Sequence, residues 1–134
     1  PVNEKYGITA HLDGILLVGG KKKVLELKTT NSMQFNLVTN IKRQAQEAHR
    51  KQIQMYMFLT GIKEGVILYF NKDDSTLHQF DEKYNESMVM GMLSQLEVAR
   101  QGMRAKVVPL DKICVVKSCA RAKSCQVRDI CFSK

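Results

Sequence analysis

Asp13, Glu26 and Lys28 give this sequence its clearest capacity for chemistry. Side chains two apart along a strand share a face. In the apolar stretch Lys23–Thr30, Glu26 and Lys28 therefore point the same way, and Leu25 and Leu27 are expected to point the other way, into the core. Gly7–Val18 reads as a preceding strand, and Gly19-Gly20-Lys21-Lys22 as the turn between the two, which makes a hairpin. A turn centred between Gly20 and Lys21 sets Asp13 opposite Lys28 and Ile15 opposite Glu26. A slip of two residues moves Asp13 toward the neighbours of Glu26. In either register two carboxylates and one ammonium meet on one patch.

Such a patch suits phosphodiester hydrolysis. Mg²⁺ and Mn²⁺ are hard cations that take oxygen ligands. Asp13 and Glu26 offer carboxylate oxygens, and the backbone carbonyl of Leu27 offers a third. A divalent ion there would polarise a phosphate and acidify bound water. Lys28 would position that water or stabilise charge in the transition state. His11, on the expected strand face of Asp13, is either a further ligand or a strand histidine with no metal role. For the whole patch the alternative is a cross-strand ion pair on an exposed sheet face, which contributes little. The D-G-x(11)-E-L-K arrangement inside a basic chain favours a site.

The run His11-Leu12-Asp13-Gly14-Ile15, then Leu25-Glu26-Leu27-Lys28-Thr29, then Gln52-Ile53-Gln54-Met55-Tyr56 resembles the PD-(D/E)xK nuclease superfamily. Within it the chain is most similar to RecB-like exonucleases, including phage and CRISPR-associated iron–sulfur members. The resemblance spans Gly7 to Cys131. It implies an α/β, restriction-endonuclease-like core: a mixed central sheet flanked by helices, with a cysteine-rich C-terminal tail. It also implies a Mg²⁺- or Mn²⁺-dependent deoxyribonuclease of exonuclease type, acting on DNA through Asp13, Glu26 and Lys28. Gln52 and Tyr56, one helical turn apart, are implied to face the cleft and contact substrate or the lysine. Otherwise they belong to an amphipathic helix with Tyr56 half-buried. Gln54 is the rival glutamine, but its partner one turn on, Phe58, has no polar group. Asn71-Lys72-Asp73 is similar to phage members, so Lys72 is either a phosphate contact or a solvated turn lysine. The family carries a His or Glu on a helix well upstream of the aspartate. Few residues precede the matching strand here, so that helical part is expected to lie outside this sequence.

These residues need elements to position them. Ile41–Thr60 reads as a helix stopped by Gly61, Gly65–Asn71 as a buried strand, and Leu77–Phe80 as a short return strand. Asp81–Arg104 reads as a long helix in which Met88, Met92, Gln95 and Leu96, then Ala99 and Met103, recur at helical spacing, and this Met-rich stripe is expected in the core. Pro109 breaks the pattern. Asn31–Asn40 reads as irregular or as a lead-in to the helix. The domain division is a nuclease core over 1–108 and a tail over 109–134.

All four cysteines, Cys114, Cys119, Cys125 and Cys131, fall in the last 21 of 134 residues. Clustered thiols without a visible secretory leader favour a metal over disulfides. The absence of a C-x-x-C pair argues against Zn²⁺. The segment Ser124–Phe132 is similar to the end of iron–sulfur RecB-like nucleases, where three such cysteines and one far upstream hold a [4Fe–4S] cluster. With no upstream cysteine here, Cys114 is the candidate fourth ligand, and reduced thiols or disulfides stay open. A cluster would pin the tail to the core. Lys117, Arg121, Lys123 and Arg128 lie among the cysteines and either form a phosphate-binding strip or keep the tail soluble.

The net charge of +8 suits a polyanionic partner. No apolar run reaches membrane-spanning length, and the chain reads as soluble, intracellular and cytoplasmic, whether cellular or virus-encoded. DNA is the expected partner, with a homo-oligomer or a replication, repair or recombination assembly as the context implied by the resemblance. The competing function is a non-catalytic nucleic-acid-binding module on a nuclease fold. Against it, carboxylates beside a phosphate repel it unless a metal intervenes.

Overall fold

The computed structural model describes residues 1–107 and 114–132. The chain is α/β and forms two compact units, Pro1–Leu93 and Ser94–Lys134. Pro109 and the expected boundary at 108/109 lie outside the described residues.

In the first unit a small antiparallel ribbon pairs β1 (Val2–Asn3) with β2 (Ile8–Thr9). Then come β3 (Gly14–Val18) and β4 (Lys21–Thr30). The single strand expected over Gly7–Val18 is therefore broken, because Ile8 and Thr9 take their partners from β1 and residues 10–13 belong to no strand. Gly19 and Gly20 turn the hairpin at φ +57° and +78°. Two successive left-handed residues make the tight turn that matches strand twist, and glycine adopts it without strain. Val18 consequently pairs with Lys21, Ile15 with Val24 and Gly14 with Leu25. The turn sits one residue earlier than expected. Asp13, one step past the end of the ladder, comes level with Glu26 rather than Lys28.

After β4 the chain forms α1 (Ser32–Asn36), a π-helical turn at Leu37–Ile41, and α2 (Glu47–Thr60). The helix expected from Ile41 starts at Glu47 instead. Arg43 is left-handed (φ +49°), Ala45 is buried, and the Gln46 N–H donates to the Tyr69 hydroxyl at 3.1 Å. Docking of Ala45 and Gln46 into the core overrides local helix propensity. Gly61, at φ +73°, ends α2 as a left-handed cap.

Next are β5 (Glu64–Asn71), parallel to β4, and β6 (Leu77–Lys83), antiparallel to β5, giving a mixed sheet in the order β3-β4-β5-β6. Parallel neighbours need a crossover, and α2 is it. It packs on the sheet through Ile53 and Met57, which are buried with Val24, Ile67 and Tyr69. A Cβ on Gly65 would stand 2.7 Å from Ile53 Cδ1, so the bare glycine sets how closely helix and sheet approach. The helix covers the Val24/Glu26/Lys28 face of β4. The expectation for Leu25 and Leu27 is thus inverted: Leu27 is 48% exposed and Glu26 only 1%.

β6 continues to Lys83, through residues expected to be helical, because Asp81 and Lys83 pair with Val66 and Glu64. Helix α3 (Glu86–Ala105) starts after Asn85, whose Oδ1 accepts from the Met88 N–H at 3.0 Å as an N-cap. Its buried residues are Val89 and Leu93, and Met103, expected in the core, is 79% exposed. The second unit adds α4 (Ala120–Lys123) and α5 (Arg128–Cys131). Among the described residues, no helix is long and apolar enough to cross a membrane.

Candidate active site

Strand β4 presents Glu26 and Lys28 to the face that α2 covers. There the Lys28 Nζ makes an ion pair with Glu26 Oε1 and donates to Gln52 Oε1 at 3.0 Å. The Gln52 Nε2 donates in turn to the Tyr56 hydroxyl at 2.7 Å. One continuous chain, Glu26–Lys28–Gln52–Tyr56, therefore joins the strand to the helix. Gln52 and Tyr56 reach it because they lie one turn apart on α2. Tyr56 also packs against the core as a partly buried residue. The rival Gln54 is buried elsewhere, accepting from the Asn85 N–H at 2.7 Å and donating to the Lys83 carbonyl at 2.8 Å.

Asp13 enters from the other side of the strand pair. Its Oδ2 accepts from the Leu27 N–H at 2.7 Å, in place of a ladder partner that β3 no longer supplies. In a strand the N–H and C=O of one residue point to the same side. The Leu27 carbonyl therefore faces the edge that Asp13 occupies, beyond the end of β3. Asp13 thus contacts the Leu27 backbone amide, and its charge reaches Glu26.

The electrostatics are set by burial. Loss of water pushes the Glu26 carboxyl above its ordinary value, the Lys28 ammonium pulls it back, and the Asp13 charge adds to the rise. Glu26 Oε2 is buried with no hydrogen-bond partner, and so is Thr30 Oγ1 two positions further along the same strand face. A buried carboxylate oxygen without a donor is costly. This is not the exposed ion pair of the bland alternative.

The donor set fits a hard divalent cation. Two carboxylates close enough to repel, one of them with an unpartnered buried oxygen, and a carbonyl on the same edge are oxygen ligands that a cation would relieve. Among the described residues, no group of three or more His, Cys, Asp and Glu side chains is placed to hold a metal. The set would thus need backbone and water oxygens to complete it, as Mg²⁺ sites commonly do.

His11 lies in the segment between β2 and β3 that belongs to no strand, so its supposed strand face shared with Asp13 does not exist. Lys72 is exposed at the end of β5, its N–H donating to the Thr30 carbonyl at 2.9 Å.

In the second unit Cys119 caps α4, its Sγ accepting from the Ala122 N–H at 3.3 Å. That amide and the neighbouring Cys114 lower the Cys119 pKa, and the same contact raises that of Cys114. No disulfide joins the four cysteines, and as placed they do not form a metal cage. Lys117 and Arg128 both pair with Asp129, at 2.9 and 3.3 Å, while Arg121 and Lys123 are exposed on α4. The strip of basic residues is thus split.

His49 and Tyr69, which belong to none of the sequence motifs, form a further polar pair. His49 Nδ1 is 2.6 Å from the Tyr69 hydroxyl, and burial together with the Lys28 charge lowers its pKa. Its signal was the spacing His49, Gln52, Tyr56 on one helix face.

No family model matches the sequence, and neither does any curated protein. Among solved structures the chain is similar to the crystal structure of SSO0001, at 20% identity and a TM-score of 0.48 over 87% of this chain and 50% of that one. This chain spans about half the length of that protein.

Proposed function

We propose that this chain is the catalytic core of a divalent-metal-dependent DNA nuclease of exonuclease type, built on a restriction-endonuclease-like core of the PD-(D/E)xK superfamily, RecB-like branch. The observation that carries the reading is the buried Glu26 Oε2, left without a donor beside Asp13 while its twin oxygen is held by Lys28. A structural ion pair has no reason to bury an unsatisfied carboxylate oxygen. A metal ligand does.

Asp13 and Glu26, with the Leu27 carbonyl, would hold Mg²⁺ or Mn²⁺, which when bound supplies Lewis acidity and an acidified water. The protein's own residues do the rest. Lys28 is held by Glu26 and Gln52 and carries a positive charge to the scissile phosphate, where it offsets charge that grows in the transition state. Gln52 fixes the position of that ammonium, and Tyr56 fixes Gln52. The net charge of +8 draws the polyanion to the protein. The cysteines as placed do not gather into a cluster site, and no step is assigned to them.

Incubation with linear DNA and Mn²⁺ tests the reading. Wild type is expected to degrade the DNA, and Lys28→Ala to lose about a hundredfold or more of that rate. Equal rates for the two, or DNA left intact by wild type, would remove the proposal. DNA binding that persists in EDTA and is indifferent to Glu26→Gln would indicate a binding module instead.

A further inference from the structure

The pair formed by His49 on α2 and Tyr69 on β5 is not used by the chemistry above. Its hydrogen-bond accounting fixes a proton. Tyr69 is fully buried, and its oxygen already accepts from the Gln46 N–H at 3.1 Å. A buried phenol also has a proton to give. The His49 Nδ1, at 2.6 Å, is the other group hydrogen-bonded to that oxygen. Tyr69 therefore donates to Nδ1, which must be the unprotonated nitrogen, and the ring proton sits on Nε2. Gln46 is held against the same hydroxyl by the non-helical segment before α2, so this assignment is built into the fold.

His49 lies one turn before Gln52 and two before Tyr56 on the helix face that meets Lys28. Burial, and to a lesser degree the Lys28 charge, lower its pKa, and both favour the neutral ring. A second cation beside Lys28 would be repelled, whereas a neutral N–H adds a donor without a charge. Resting on the nuclease reading, we infer that His49 is a phosphate-binding residue of the DNA cleft, locked by Tyr69 as the neutral Nε2–H tautomer and donating to a phosphate oxygen beside Lys28. The ligand class is a phosphodiester, the anion that an ammonium and a neutral donor side by side would share.

Nitrogen-15 NMR of the labelled wild-type protein reads the tautomer directly. One of the three histidines is expected with Nδ1 unprotonated and Nε2 protonated, and Tyr69→Phe should abolish that signature and identify it as His49. A short phosphorothioate DNA duplex, added with Ca²⁺, is then expected to shift the His49 Nε2 resonance. His49→Ala should raise KM for DNA about tenfold with kcat within about twofold, as for a hydrogen bond to a charged group made equally in ground and transition states. His49→Gln, which keeps an N–H donor, should recover most of the loss.

A proton found on Nδ1 overturns the inference. So does DNA that shifts the Lys28 and Gln52 signals but leaves His49 unmoved, which would make the pair a strut between helix and sheet and leave the nuclease reading standing. DNA that shifts none of the three overturns both.

Discussion

Replacing Glu26 by Gln separates what this carboxylate does for function from what it does for stability. Its pKa is raised from an ordinary value of 4.5, burial being the largest cause. The folded protein therefore holds the proton more tightly than the unfolded chain does. The stability Glu26 contributes is complete below about pH 4.5 and is lost as pH rises through the higher folded value. At neutral pH the ionised group is a net cost. Gln has the same shape and no charge. Lys28, which loses its partner in the variant, keeps Gln52 and is 21% exposed at its side chain, so water can reach it. Gln leaves a polar atom unsatisfied in the same place, at about 1–3 kcal/mol, so the gain comes from removing the buried charge, which costs more than a neutral group does, and loss of the ion pair subtracts from that gain. Glu26→Gln is thus expected to be more stable than wild type by about 1–2 kcal/mol at pH 7, or roughly 3–8 °C in Tm for a chain of this size. Thermal unfolding by circular dichroism in EDTA, from pH 4 to 8, measures it. The gap between variant and wild type should open above about pH 4.5 and close below it. Adding Mn²⁺ should raise wild type, by about 2.7 kcal/mol at a hundredfold excess over Kd, and leave the variant unmoved. A variant less stable than wild type at pH 7, or a gap that ignores pH, would show that the Lys28 pair outweighs burial and that Glu26 is a structural anchor.

Gly65→Ala should destabilise the first unit by about 1–3 kcal/mol in urea titration, since the new methyl stands 2.7 Å from the buried Ile53 side chain and must displace it from its packed position. Gln52→Leu should leave stability within about 1 kcal/mol, because Gln52 is only half-buried, yet lower nuclease kcat about ten- to a hundredfold by freeing the Lys28 ammonium. A Gln52→Leu enzyme with full kcat would leave the helix no part in holding the lysine.

Local signals fixed some elements well. The Gly-Gly turn, the Gly61 stop and the apolar run of β5 each rest on a residue type with few alternatives. Tertiary contacts decided the rest. The start of α2 depends on Ala45 and Gln46 docking against the core, and the end of β6 on backbone partners in β5, neither of which leaves a periodic trace. At Asn85 the cap was present in the sequence, but it was masked by a helix-like run that began earlier. For the site, the alternation of β4 placed Glu26 and Lys28 together, and a turn of α2 placed Gln52 with Tyr56. Which face of β4 is buried was misjudged, because Leu25 and Leu27 look more like core than a Glu and a Lys do. His49 was missed for a related reason. Its partner, Tyr69, comes from a strand twenty residues away.

On the nuclease reading proposed above, the inversion of β4 bears directly on function. Had Leu25 and Leu27 filled the core, Glu26 and Lys28 would lie in water, where an ion pair has little strength and salt weakens it further. By covering the charged face instead, α2 strips water from a carboxylate and lowers the local dielectric. The same Coulombic forces become several times stronger there. That environment is costly for a protein at rest. On that reading it becomes useful when a cation is bound, or when negative charge grows on a bound phosphate. Destabilised polar groups persist where function holds them. Here the cost falls on one oxygen of Glu26, and the helix that imposes it also supplies the glutamine that aims Lys28. Burial and aim come from one element, so a change that loosens α2 should lose both together, whereas Gln52→Leu should lose only the aim.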